Sequence, residues 1–175
     1  MPNLSTKHDF FKDLYYRELE RRDKLEQKLQ FPIGVLIILT GGLFFLVKDV
    51  KINIFNFQSL FLYALFYFFI IIFFTTILRC SVHFTEFATP PEYLLIPKAG
   101  DLTDLYKGEI GSESVDKFVE KNLTDHYIKC AHRNCEINND RSNSYARGMN
   151  FLSQSVGGGL LALIPYIVLK GVGLA

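Results

Sequence analysis

Residues 59–78 run for twenty positions without a charged side chain, and six of them are phenylalanine. A helix buried in a soluble core normally keeps one polar stripe. A helix of this length that is apolar on every side matches lipid rather than water. The 31–47 run is also uncharged and would span about 25 Å as a helix, the short end of what crosses a bilayer. A third run, 149–169, is less pure. It holds Asn150, Ser153, Gln154, Ser155, three consecutive glycines and Pro165. Either it spans with its polar side chains turned to other helices or water, or it lies on the membrane surface.

Lysine and arginine set the direction. Seven of them lie in residues 1–30, two in 48–58 and nine in 79–148. The positive-inside rule then puts the N-terminus in the cytoplasm. The expected layout is a cytoplasmic amphipathic helix over 1–30, a first span over 31–47, an external loop over 48–58 and a second span over 59–78. A cytoplasmic loop and long helix over 79–148, a third span over 149–169 and an external tail over 170–175 complete it. The fold class is an all-α membrane protein with three transmembrane helices, the first and third extended as cytoplasmic helices. Pro32 marks a kink or restart between the 1–30 helix and the first span. Thr89-Pro90-Pro91, Pro97 and Gly100 predict an irregular stretch over 80–111, with a short helix at 101–110, before a long helix starts near Ser112.

The two cytoplasmic helices carry matching seams. Leu123, Tyr127, Ala131, Asn134, Asn138, Arg141, Tyr145 and Gly148 recur at spacings of four and three, and so do Phe11, Tyr15, Glu18, Arg22, Leu25 and Leu29. Each seam is apolar at its ends and polar in the middle. Both helices run toward the membrane, so in contact they are parallel, with Glu18 and Arg22 near the depth of Asn138 and Arg141. One reading is a buried polar layer that fixes register, with Glu18 paired to an arginine. The other is an anion site. Arg22 and Arg141 would supply planar guanidinium forks for phosphate, Asn134 and Asn138 would add donors, and Arg21, Lys129, Arg133 and Arg147 would extend the positive surface.

Other chemistry is thinly supported. His126, Cys130, His132 and Cys135 suggest zinc, but on a helix His132 points well away from His126 and Cys130, so four ligands cannot converge. No Ser/His/Asp set, HExxH, P-loop or GxGxxG pattern is present. Neither catalysis nor a cofactor is expected. With 19 Lys+Arg against 18 Asp+Glu, the chain has no bulk attraction for nucleic acid or anionic lipid, and such binding must be local. The odd cysteine count, Cys80, Cys130 and Cys135, fits reduced thiols on a cytoplasmic side. The charged first thirty residues are unlike a signal peptide.

In the third run Asn150 and Gln154 stand one turn apart, and Gly157, Gly158 and Leu161 are read as continuing that face. The glycines serve either close helix packing or a flexible point in a gate. Repeated around an axis, the face becomes amide rings, then small residues, then a leucine constriction, the order of a pore with a hydrophobic gate. Three spans cannot enclose water, so a pore requires a homo-oligomer.

The segments LYYRELERRDKLEQK and HYIKCAHRNCEINNDRSNSYARG, each before a span, resemble small membrane effectors of bacterial antiphage systems. These are the transmembrane effectors of the CBASS, Pycsar and Hailong type and the related SLATT-type domains. The matching positions are Tyr16, Glu18, Arg21, Arg22, Asp23 and Lys24, then Tyr127, Asn134, Asn138, Arg141 and Tyr145. The resemblance implies an effector in the bacterial inner membrane that opens or disrupts it when infection changes a nucleotide or short nucleic-acid signal. A cytoplasmic nucleotidyltransferase system would be its partner. The expected function is a gated homo-oligomeric channel or depolarising protein. The alternative is a non-conducting membrane subunit that docks a cytoplasmic partner protein.

The topology is checked by cysteine labelling in intact cells, in a background without the native cysteines. An impermeant maleimide reaches Asn53→Cys and spares Lys107→Cys. Labelling at position 107 refutes the cytoplasmic N-terminus.

Overall fold

The computed structural model describes residues 4–48, 50, 57–96 and 115–171. Among these every regular element is a helix. Helix α1 covers Leu4–Lys28, α2 Gln30–Lys48, α3 Phe57–Ala88 and α4 Val115–Gly171. Three stretches are long and apolar enough to cross a membrane, lying within Thr6–Lys48, Ser59–Ala88 and Val119–Gly171. The described chain divides into two compact units. One takes residues up to Glu26 and from Pro90 to Arg141; the other takes Gln27–Thr89 and the chain from Ser142 on.

The α1–α2 boundary falls at Leu29, a turn, and α2 restarts at Gln30 with Pro32 in its first turn. There the missing proline N–H removes no helical bond. Ile33 N–H donates to the Leu29 carbonyl at 3.3 Å.

The expected irregular stretch over 80–111 needs correction, because α3 continues to Ala88. Residues 79–88 contain no glycine or proline, and Cys80, Phe84 and Phe87 recur at four and three and are buried. That buried face carries the helix until Pro90, which biases Thr89 away from helical geometry. The short helix expected at 101–110 lies outside the described residues.

In the first unit, Phe11, Leu14, Tyr15 and Leu19 of α1 pack with Leu123, Tyr127, Cys130 and Ala131 of α4, and Ile96 joins them. Contacts advance together along both helices. His8 meets Thr124, Glu18 meets Asn138 and Glu26 meets Arg141, so the two helices are parallel.

The second unit has two apolar clusters. Leu29, Val35 and Leu36 of the chain around the start of α2 pack with Cys80 and Phe84 of α3 and with Met149 and Leu152 of α4. Toward the other end, Leu46 and Val50 pack with Tyr63, Phe66, Tyr166 and Leu169. The large side chains left over point outward, among them Ile37, Ile38, Phe44, Phe61, Phe68, Ile71 and Ile164. Hydroxyls on these helices bond back to their own backbone: Thr40 to Leu36 O, Thr75 to Ile71 O and Ser155 to Phe151 O. Such back-bonding lets a hydroxyl face an apolar medium without an orphaned donor.

One close approach depends on glycine. A Cβ on Gly148 would stand 2.8 Å from Phe84 Cε1, and the Phe84 ring is buried against Tyr145. Gly157 has nothing within 4 Å of the same position. Gly148→Ala therefore lowers the thermal midpoint in detergent, at a cost of about 1–3 kcal/mol from overpacking. Gly157→Ala holds or raises it, since alanine gains about 1 kcal/mol in a helix. Equal midpoints for the two variants overturn this packing.

Candidate functional site

Two polar groups of residues stand out from the apolar packing. The first is the middle of the α1–α4 seam, where Asn134 and Asn138 are both fully buried (0% exposed). Asn134 Nδ2 donates to the Leu94 carbonyl at 3.0 Å, and its Oδ1 accepts the Leu94 N–H at 2.9 Å. Leu94 thus turns both backbone groups to one side, as extended backbone does. One turn on, Asn138 Nδ2 donates to the Glu18 carbonyl at 2.8 Å and to Glu18 Oε2 at 2.9 Å. Its Oδ1 accepts the Tyr93 hydroxyl at 2.6 Å. A buried carboxamide left unpaired would cost about 1–3 kcal/mol; here both have partners on both atoms.

The arginines gather on Tyr93. Arg141, only 4% exposed, donates from its terminal nitrogen to the Tyr93 hydroxyl at 2.9 Å. The Arg22 guanidinium lies over the Tyr93 ring, 5.5 Å from its centroid. Both also approach one carboxylate oxygen, Glu26 Oε1, at 3.8 Å from Arg22 and 3.7 Å from Arg141. Asp23 takes Arg22 at 3.0 Å. Arg21 lies 3.6 Å from Glu18 and donates to Asn139 Oδ1 at 2.9 Å. Arg133 pairs with Glu136 at 3.4 Å, and Lys129 is exposed. Arg147 falls in the other unit.

Of the residues expected to bind an anion, the structure thus brings Arg22, Arg141, Asn134 and Asn138 together around residues 93 and 94. The segment 90–96 was missing from that expectation. Its Leu94 pairs both backbone groups with Asn134, and its Tyr93 hydroxyl donates to Asn138. The seam spacing marks both asparagines as covered and so in need of partners, but it does not single out this segment.

Burial pushes the Tyr127 hydroxyl and the Cys130 thiol above their ordinary pKa values, and it raises Tyr15 against a lowering bond to the Ile96 backbone. A thiol held protonated is a poor metal ligand. Among the described residues no three His, Cys, Asp or Glu side chains converge as a metal would require.

The second group lies on α4. Leu152, Ser155, Gly158, Ala162 and Tyr166 face inward. Asn150, Gln154, Gly157 and Leu161 are exposed, and among the described residues neither carboxamide has a hydrogen-bond partner. Gly158, read from sequence as part of that face, is placed elsewhere: it is buried with a Cβ position 3.6 Å from the Phe73 Cα. At about 100° per residue it lies about 80° around the helix from Asn150, while Gln154, Gly157 and Leu161 lie within about 40°. Gly159 also meets Phe73, at 3.2 Å from Cζ.

No protein-family model matches this chain, no curated protein matches it, and no solved structure matches it.

Asn134→Leu removes both bonds to Leu94. The Leu94 amide then exchanges with deuterium about ten- to a hundredfold faster, the equivalent of about 1–3 kcal/mol of lost local protection. Unchanged exchange means that Tyr93 and Ile96 alone hold the segment.

Proposed function

We propose that this chain is a membrane effector of antiphage defence that forms a homo-oligomeric gated channel, or otherwise depolarises the membrane, in response to a nucleotide or short nucleic-acid signal. Exposed Asn150 and Gln154 without partners, on a helix apolar enough to span, carry this reading. Each carboxamide left in hydrocarbon costs about 2–7 kcal/mol, whereas the Thr40, Thr75 and Ser155 hydroxyls bond their own helix backbone. Facing copies of α4 across a water-filled axis relieves that cost. Leu161 then forms the narrow point, and Pro165, which has no N–H, frees the Leu161 carbonyl from its helical bond. Outward-facing apolar side chains on α2 and α3 support the reading of these helices as lipid-facing spans.

The signal acts on the α1–α4 unit. A phosphate engaging Arg22 and Arg141 bidentately competes with Tyr93 for the same guanidinium groups; Arg21 and Arg133, which meet Glu18 and Glu136, and Lys129 are the further cations it could recruit. Only differential binding to two states can move a gate, and loss of Tyr93 from the arginines is one such difference. The antiphage setting, the bacterial inner membrane and a nucleotidyltransferase partner system are what the resemblance of the two juxtamembrane segments implies, and the cytoplasmic N-terminus is what the lysine and arginine distribution implies. A second reading, a non-conducting subunit that docks a cytoplasmic partner, is favoured by exposed Phe10, Tyr16, Leu94 and Leu95.

Liposomes carrying the purified protein separate the two. A channel passes ions, and Gln154→Leu changes the conductance without reducing insertion. Nucleotide or nucleic acid co-purifies with wild type and is lost from Arg22→Ala/Arg141→Ala. Silent liposomes under every added nucleotide favour the docking subunit.

A further inference from the structure

A groove of about 270 Å³ opens on the second unit between α2, α3 and α4. Ile38, Gly42 and Phe45 line it on one side and Val156, Leu160 and Leu163 on the other. Every lining side chain is apolar, so only an apolar occupant gains by filling it. The packing of Leu46 and Val50 with Tyr166 and Leu169 brings the C-terminal ends of α2 and α4 together. Those ends carry Lys48 and Lys170. Both are exposed, and among the described residues neither pairs with a carboxylate. Lys170 rests over the Tyr166 ring, 5.9 Å from its centroid. At 1.5 Å rise per residue, Lys48 stands about 5 Å beyond Phe45 and Lys170 about 10 Å beyond Leu163. The surrounding sequence, Lys48-Asp49-Val50-Lys51 and Lys170, is net positive.

We infer that this groove is a binding site for an anionic phospholipid: one acyl chain fills the groove and the phosphate sits at Lys48 and Lys170. An apolar slot with cations a few ångströms past one end has the amphipathic profile of a lipid. The groove side of α4 lies about 140° around the helix from the Asn150–Gln154–Gly157 face, so a lipid here and a second copy there do not compete. The site rests on the reading of α2, α3 and α4 as membrane spans.

Delipidated full-length protein is titrated in native mass spectrometry with phosphatidylglycerol and with phosphatidylcholine of the same acyl chains. Wild type retains one phosphatidylglycerol per chain, at least fivefold more tightly than phosphatidylcholine. Gly42→Leu fills the groove, since a Cβ there meets nothing within 4 Å, and loses the retained lipid. Lys48→Gln/Lys170→Gln erases the preference for the anionic lipid while an acyl chain is still held. Unaltered retention in Gly42→Leu overturns the site. A disulfide between copies of Gly42→Cys also overturns it, because a second copy then occupies the groove. Alkaline carbonate extraction tests the underlying reading separately. Release of wild type from membranes refutes the spans themselves, whereas resistant protein without retained lipid refutes only the site.

Discussion

The pairing of Asn134 with Leu94 is what makes the first unit more than two helices side by side. A helix pair with a purely apolar seam can slide by a turn at little cost. A buried carboxamide that must meet one backbone N–H and one C=O cannot. Asn138 adds a second constraint one turn on, holding the Glu18 backbone and side chain on α1 and the Tyr93 hydroxyl on the 90–96 segment. Two asparagines on α4 therefore set the register of α1 and the path of the chain leaving α3. The recognition of Leu94 is of backbone, so its side chain is free to point outward, as its exposure shows.

The two seams were legible because a four–three repeat survives in any sequence where one helical face is buried. Every seam position on α4 from Tyr127 to Arg141 is buried, and the parallel alignment put Glu18 at the level of Asn138. The partner of the polar layer was not legible. A seam pattern reports that a face is covered, and says nothing of whether a second helix or a non-helical segment covers it. Nor does it resolve which carboxylate an arginine reaches. Glu18 does meet an arginine, Arg21 at 3.6 Å, but the two seam arginines, Arg22 and Arg141, come within 4 Å of Glu26, which is exposed and off the seam. The end of α3 was misread for the opposite reason. The apolar run stops at Leu78, and a run measures hydropathy, while the helix is sustained for ten more residues by burial of Cys80, Phe84 and Phe87.

On α4 the distinction between hydroxyl and carboxamide decides which polar residues carry information. Ser155 satisfies itself on the Phe151 carbonyl and packs inward, so it asks nothing of its surroundings. An asparagine or glutamine carries two donors and an acceptor that the helix backbone cannot absorb. Asn150 and Gln154 point away from α2 and α3, and Gly157 keeps that face slim beyond them. The three-glycine run thus divides its work: Gly158 and Gly159 meet Phe73, and Gly157 stays on the open face. Spacing already sets Gly158 about 80° from Asn150 and Gly157 within about 40°, and the contacts with Phe73 show that the side Gly158 turns to is the packed one.

The same accounting bears on how an anion would enter the first unit. Arg22 and Arg141 bring two positive charges, and Glu26 and Asp23 bring two negative ones. The local balance is near neutral, so bulk attraction does not favour an anion there. What favours it is geometry. The contacts to Glu26 are long, 3.7 and 3.8 Å, and that carboxylate is mostly in solvent, where an ion pair contributes little. Tyr93 offers Arg141 a neutral hydroxyl and Arg22 a ring face. A phosphate offers both guanidinium groups charged oxygens in the planar arrangement they fit. The exchange of a neutral partner for a charged one is favourable at the arginines and costly at Asn138, which loses the Tyr93 hydroxyl as its donor. In the proposed reading, occupancy by an anion and the hold on the 90–96 segment would therefore be opposed, and a switch at this layer would use that opposition.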